Sequence, residues 1–266
     1  MMNRFEETFK TLKQKQEGAL SVFLTAGYPD LSTTSKLIDT VIEAGADIIE
    51  LGVPFSDPLA DGKTIQESSY VALTNENINL ENCFSLVNNV RKTNKKTPIV
   101  LMGYYNPFLN YGISNLIKKS LLNGVDGFIV PDLPIEEASP LLAACYAKNI
   151  SYIPLIAPTS SKERIKSAVE VASGFIYCVS LTGVTGARQS VDSEVNAIVM
   201  NIKEFTDLPV LVGFGISTAK HVVKIKQFAD GVVVGSAVVN ILKEKEKNLE
   251  SIYNFVQSLK IELKGI

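Results

Sequence analysis

Two carboxylates in the first quarter of the chain have the type and placement needed for proton transfer. Glu50 lies near the end of an apolar run, residues 47–52, and Asp61 follows in a loop that contains prolines, aspartates and a glycine. A carboxylate among apolar groups is disfavoured in its charged form, so its pKa rises toward values useful for acid–base chemistry. The position of Glu50 in this run favours a catalytic role over the alternatives that it forms an ion pair with a basic residue or points to solvent. Asp61 could either cap a helix or accept a hydrogen bond from a ligand N–H.

Glycine-containing turns follow three late strands and predict a phosphate site. The turns span residues 182–186, 213–217 and 235–237. Glycine lets backbone N–H groups approach an anion closely, and the last turn would also open a helix whose N-terminus favours negative charge. Barrels often bind phosphate after their seventh and eighth strands. The turn residues that we expect at the phosphate are Gly186, Gly215, Gly235 and Ser236.

Few other reactive side chains are available. His221 is the only histidine, so any Ser–His or Cys–His nucleophile pair would have to use it, and a three-histidine metal site is excluded for a single chain. His221 is expected within a helix, away from the mouth of the barrel. No predicted strand ends on a lysine that could form a Schiff base. Of the reaction types considered, this leaves acid–base catalysis by carboxylates, without a metal, on a phosphorylated substrate. Tyr177 and Tyr104 could supply hydroxyls or an aromatic wall, or could simply pack in the core.

Eight short apolar runs bounded by turn residues predict the strands that position these groups. The runs are residues 19–25, 47–52, 98–103, 127–132, 150–157, 174–180, 209–213 and 231–235. Segments with helical spacing separate them, and an additional amphipathic helix is predicted around residues 3–16. This order predicts an α/β fold, a single (β/α)8 TIM barrel, with residues 1–266 as one domain. A doubly wound open sheet is the rival, but the third glycine of its dinucleotide-binding fingerprint is missing.

Two long loops are predicted after strands 2 and 6, around residues 53–77 and 181–190. Loops of this length are usually functional, and in a barrel they lie at the carboxyl ends of the strands, where active sites form. We therefore expect both loops to border the site.

Composition limits the partners. With 26 basic and 28 acidic residues, the formal net charge is -2, which provides no basic surface for nucleic acid. The 46% hydrophobic content excludes a disordered chain. The first residues show no basic run followed by an apolar segment, and no apolar run is long enough to span a membrane, so a cytoplasmic location is expected.

The motifs around these residues resemble the tryptophan synthase alpha subunit family. The matching segments are ELGVPFSDPLADG at 50–62, YNP at 105–107, PDLP at 131–134, GVTG at 183–186 and GFGIS at 213–217. The resemblance implies a carbon–carbon lyase that cleaves indole-3-glycerol phosphate by a retro-aldol reaction to indole and glyceraldehyde 3-phosphate. It implies no cofactor and no metal in this chain.

The resemblance also implies a partner and assigns roles to residues. A beta subunit carrying pyridoxal phosphate would receive the indole for L-tryptophan synthesis, in an alpha2-beta2 heterotetramer. Glu50 matches the general acid/base, Asp61 the carboxylate that engages the indole N–H, and Tyr177 a tyrosine beside the glutamate. The phosphate-site residues named above match as well. The remaining matches are Phe23, Tyr104, Ile129 and Phe214 for the indole pocket, and Pro54, Asp57 and Pro134 for the surface facing the beta subunit.

Two alternatives remain open from the sequence. A free-standing indole-3-glycerol-phosphate lyase would release indole without a beta subunit. A phosphate-binding module without catalysis would explain the glycine turns but not the pair of carboxylates. The family resemblance leads us to expect a proline after Asp61 and Gly62, but this chain has Lys63. The difference affects the expected rigidity and closure of the loop and not the expected reaction.

Overall fold

Nine parallel strands form one closed sheet in the computed structural model, which describes residues 3–180, 188–213, 215–244 and 248–265. The strands are β1 Ala19–Thr25, β2 Ile48–Gly52, β3 Ile99–Met102, β4 Gly127–Ile129, β5 Ser151–Tyr152, β6 Leu155–Ile156, β7 Ile176–Val179, β8 Val210–Gly213 and β9 Gly231–Val234. Each lies within one of the eight predicted runs. The order β5-β4-β3-β2-β1-β9-β8-β7-β6 confirms the (β/α)8 barrel and excludes the open sheet.

The fifth predicted strand is interrupted at Pro154, and its two parts pair with the two opposite ends of the sheet. Pro154 has no N–H to donate, so the run splits into β5, which pairs with β4, and β6, which pairs with β7. Backbone bonds continue across the break: Ile153 N–H donates to Phe128 O at 3.0 Å, and Tyr177 N–H donates to Pro154 O at 3.1 Å. The two ends of the sheet are therefore consecutive in the chain.

Helices connect the strands. They are α1 Arg4–Lys15, α2 Leu31–Glu43, α3 Lys63–Glu76, α4 Leu80–Thr93, α5 Tyr105–Tyr111, α6 Ile113–Asn123, α7 Ser139–Tyr146, α8 Lys162–Val171, α9 Arg188–Lys203, α10 Ala219–Ile225, α11 Ser236–Lys243 and α12 Leu249–Glu262. The predicted N-terminal helix is confirmed as α1, which Asn3 and Glu6 start with a capping box. Asp30 caps α2 and Ser161 caps α8.

The prediction of one long loop at residues 53–77 is wrong. Helix α3 occupies its second part, so the connection after β2 spans only residues 53–62. The buried face of α3 includes Ser68 and Ser69 besides Ile65 and Ala72, so its apolar pattern in the sequence is weak. Lys63 is the first helical residue, a position that proline often occupies.

Alternate residues of each strand face the barrel axis, and the others pack against the helices. The interior cluster includes Phe23, Met102, Ile129, Phe175, Tyr177, Leu211 and Val233. Glu50 lies two residues after the interior-facing Ile48 and therefore also faces inward. A separate apolar layer lies between sheet and helices.

Three aspartates precede strands at the amino end of the barrel. Asp47, Asp126 and Asp230 each accept a hydrogen bond at 2.8 Å from a backbone N–H at the start of the neighbouring strand. Each also forms an ion pair with at least one basic side chain. Arg91 binds Asp126 at 2.6 Å and is itself buried. These carboxylates fix strand register at the end opposite the loops described next.

Among the residues described, no helix has the length and apolar composition needed to cross a membrane.

Candidate active site

Glu50 is fully buried in the barrel interior. One carboxylate oxygen, Oε1, accepts a hydrogen bond from Ser21 Oγ at 2.7 Å. The other, Oε2, has no hydrogen-bond partner among the described residues. Burial raises the pKa of Glu50 from 4.5 to about 8, and the bond from Ser21 opposes this rise. Glu50 is therefore able to hold a proton at neutral pH.

Tyr177 lies near Glu50, on the strand where the sequence predicted it. Its pKa is raised well above the ordinary value, first by burial and then by the charges of Glu50 and Asp61. Gly213 on the adjacent strand makes room for it, because a Cβ at this position would lie 2.2 Å from the Tyr177 hydroxyl. Tyr177 therefore stays protonated and can act as a neutral hydroxyl.

Asp61 is held by a tyrosine from a different connection. Tyr104, which directly precedes α5, donates its hydroxyl to Asp61 Oδ2 at 2.9 Å and accepts the Ala60 N–H at 2.9 Å. Burial raises the pKa of Asp61 to about 6, and the bond from Tyr104 opposes this rise. Asp61 caps no helix, since Gly62 precedes α3. This arrangement favours the ligand-acceptor interpretation of Asp61.

A cavity of about 340 Å³ opens at the carboxyl ends of the strands. Its volume lies in the usual range for small-molecule sites. Six residues predicted for the site line it: Phe23, Asp61, Tyr177, Gly215, Gly235 and Ser236. Tyr104 and Ile129 are buried nearby and do not line it, and Glu50 has no exposed surface. The structure thus brings together the predicted carboxylate loop and the predicted phosphate turns.

The turns after β8 and β9 form one side of this cavity. Gly215 has a φ of 78°, in the left-handed region that glycine adopts without strain. Ser236 begins α11, as predicted, so the unpaired N–H groups of the first turn lie at the cavity. Gly186 and Phe214, predicted for the phosphate and indole sites, lie outside the described residues. His221 is exposed on α10 and does not line the cavity.

Sequence reasoning missed part of the lining. The additional residues are Ile65, Met102, Val233 and Asn240, whereas Gly62, Ile216, Ser217 and Ala237 belong to the predicted loop and turns. Met102 and Val233 could have been found from strand alternation, because each lies two residues after an inward-facing residue. Ile65 belongs to the unpredicted helix. Ser21 was also missed, although it is a polar residue between apolar neighbours in the first predicted strand.

The residues predicted for a partner surface differ in exposure. Asp57 and Pro134 are exposed, whereas Pro54 is buried and contributes to the shape of the loop. Leu59, two residues after Asp57 in the same loop, is 92% exposed although its side chain is large and apolar. A groove of about 670 Å³ beside this loop is lined by Ala60 and Pro134, among others.

The fold is that of a (β/α)8-barrel enzyme class, with two carboxylates of raised pKa, Glu50 and Asp61, on one side of the barrel and glycine turns and a helix N-terminus on the other. The family model for the tryptophan synthase alpha chain matches residues 9–264. The tryptophan synthase alpha chain of Thermoanaerobacter sp. strain X514 is 45% identical over 262 residues, covering 97% of this chain and 99% of the relative. The crystal structure of tryptophan synthase subunit alpha from Legionella pneumophila strain Paris has a TM-score of 0.92 at 35% identity, covering 100% of both chains.

The chain therefore belongs to the tryptophan synthase alpha chain family. It is a carbon–carbon lyase of tryptophan biosynthesis that cleaves indole-3-glycerol phosphate to indole and glyceraldehyde 3-phosphate. The matches support neither the free-standing lyase nor the binding module.

Proposed function

We propose that Glu50 and Asp61 carry out this cleavage as a protonated acid and an ionised carboxylate. The observation that carries the proposal is their unequal burial, which raises one pKa to about 8 and the other to about 6. Between these values Glu50 holds a proton while Asp61 is charged. Two carboxylates with separated pKa values can take different roles in one reaction.

The reaction then balances without any other proton carrier. Glu50 transfers its proton to C3 of the indole ring, and Asp61 stabilises the positive charge that develops at the ring N–H. The resulting Glu50 carboxylate removes the proton of the C3′ hydroxyl while the carbon–carbon bond breaks and its electrons return to the ring. Glu50 ends the cycle protonated, as it began.

Substrate binding must rearrange the cavity wall. Phe23 pairs in register with Glu50 and lines the cavity, as Tyr177 does, whereas Glu50 has no exposed surface. Displacement of these rings would bring the substrate to the carboxylate. The turns with Gly215, Gly235 and Ser236, together with Gly186, would hold the phosphate. Phe23, Tyr104, Ile129 and Phe214 would surround the indole. No cofactor takes part in these steps.

The test is indole release by Glu50→Gln. The amide cannot supply the proton, so we expect kcat to fall by about 10²-fold or more with a small change in KM. Glu17→Gln, at the amino end of the barrel, is the matched control. Undiminished cleavage by Glu50→Gln would overturn the assignment.

We also propose that a tryptophan synthase beta subunit, carrying pyridoxal phosphate, docks on the loop after β2 and on the segment with Pro134. Leu59 and Asp57 are exposed there beside the groove, and burying Leu59 would remove a large apolar surface from water. Pro54 would support the loop from within. The assembly would be an alpha2-beta2 heterotetramer in the cytoplasm, with residues 1–266 acting as one domain.

The partner surface is tested by stimulation of indole release on adding a beta subunit. Leu59→Asp should abolish most of the stimulation, because it places a charge in an apolar contact. Leu122→Asp is the matched control, since Leu122 is 70% exposed on α6, away from the proposed surface. Equal stimulation of both variants would contradict the proposed surface.

A further inference from the structure

Ser21 is a buried polar residue placed directly against Glu50. It lies in β1 between apolar neighbours and has no exposed surface. Its hydroxyl donates to Glu50 Oε1 at 2.7 Å. A hydrogen bond to a charged group in such an interior is stronger than one in water. The bond therefore restrains both the position of the carboxylate and its charge.

The groups around Glu50 leave its two oxygens unequal. On the neighbouring strands, the register partners Phe23 of β1 and Val100 of β3 are apolar. The titratable group beside Glu50 is Tyr177 of β7, whose pKa is raised by burial and then by the charges of Glu50 and of Asp61 in the loop after β2. Oε1 is bonded to Ser21, whereas Oε2 lacks a hydrogen-bond partner among the described residues.

We propose that Ser21 is a positioning residue for proton transfer: its hydroxyl fixes Oε1 of Glu50 and leaves Oε2 as the oxygen that exchanges protons with the substrate. The inference rests on the proposed function of Glu50. Ser21 contacts the carboxylate and not the cavity, so it acts through Glu50.

Removing the hydroxyl has two separable consequences. The ionised carboxylate loses a donor while burial remains, so the pKa of Glu50 rises further. The side chain also loses the contact that selects one orientation, and misorientation lowers the rate of the chemical step rather than substrate binding.

The experiment compares Ser21→Thr with Ser21→Val, which have nearly equal volume and differ in the hydroxyl. Ser21→Ala is included because it removes the hydroxyl and adds no atoms. Ser120→Ala is the matched control, because Ser120 is fully buried on α6 and its Oγ has no hydrogen-bond partner among the described residues. Indole release is measured across pH, and the protonated carboxyl band of Glu50 is followed by infrared spectroscopy, assigned by its absence in Glu50→Gln.

We expect the alkaline limb of kcat/KM and the infrared titration to move upward together, by about one pH unit, in Ser21→Val and Ser21→Ala. We expect kcat to fall about tenfold with KM nearly unchanged, and Ser21→Thr to restore both. Ser120→Ala should match the wild type.

Two results would overturn the inference, and a third separates it from the proposed function. If Ser21→Val and Ser21→Thr have the same pH profile and infrared titration, the hydroxyl does not govern Glu50. If the infrared titration moves but the kinetic limb does not, Ser21 affects a group that is not the proton carrier. If the wild type releases no indole, the proposed function fails, and the infrared titration separately shows whether the Ser21 bond controls the carboxyl.

Discussion

Replacing Glu50 by glutamine should stabilise the folded protein increasingly as the pH rises. The pKa of Glu50 is about 8 in the fold against 4.5 in an exposed chain. Between these values the unfolded chain releases the proton and the folded protein keeps it. The unfolded state therefore binds fewer protons, and the free energy of unfolding of the wild type falls with increasing pH.

The size of the effect follows from these two pKa values. From about pH 5 to about pH 7.5 the Glu50 carboxyl lowers the free energy of unfolding of the wild type by about 3 kcal/mol. Glutamine does not titrate, so the variant lacks this loss and its amide oxygen can still accept the bond from Ser21. Asp61, whose pKa is also raised, titrates in both proteins and cancels in the comparison.

The assay is urea unfolding of the wild type and Glu50→Gln at both pH values, followed by circular dichroism. With a slope of about 3 kcal/mol per M, the difference between the two midpoints should grow by about 1 M from the lower to the higher pH. Ser120→Ala, which removes no titratable group, should show no such divergence. Stability curves that run parallel across this pH range would refute the buried, proton-holding state of Glu50.

Further predictions concern other parts of the site and the opposite end of the barrel. Tyr104→Phe removes the donor to Asp61, so the acid limb of kcat/KM, expected near pH 6, should move upward while the rate on the plateau stays within about threefold. Gly213→Ala places a Cβ 2.2 Å from the Tyr177 hydroxyl, so we expect a loss of about 2 kcal/mol in urea unfolding and at least tenfold in kcat. Arg91→Met removes the buried cation that pairs with Asp126, so it should lower the free energy of unfolding by about 3 kcal/mol. KM, measured at low temperature where the variant stays folded, should be unchanged.

The sequence predicted most of the sheet because each strand is a continuous apolar run, which is what a strand covered on both faces requires. It also predicted Glu50 near the carboxyl end of the second strand and Asp61 in the loop that follows, as the structure has them. The helix α3 was missed because serines occupy part of its buried face. Burial of Ser68 is possible because its hydroxyl donates to Ile65 O, a local bond that hydrophobic periodicity does not detect.

Hydrogen bonds between residues far apart in the chain could not be predicted from the sequence. The bond between Tyr104 and Asp61 joins residues 43 positions apart, and the bond between Ser21 and Glu50 spans 29. The first bond joins two connections outside the strands, and the second joins β1 to β2 two residues away from the register pair of Phe23 and Glu50. The sequence shows which residue types are present, but only the folded chain brings these side chains together.

The barrel consists of two arcs, β1–β5 and β6–β9, which meet at the β1–β9 pairing and at the break beside Pro154. The arc before the break holds Glu50 and Asp61, and the arc after it holds Tyr177 and the turns with Gly215 and Ser236. In the proposed pose the indole end of the substrate lies on the first arc and its phosphate on the second. Bound substrate would then contact both arcs. Because it binds only the folded barrel, it would stabilise the association of the two arcs by mass action as well as positioning the reacting groups.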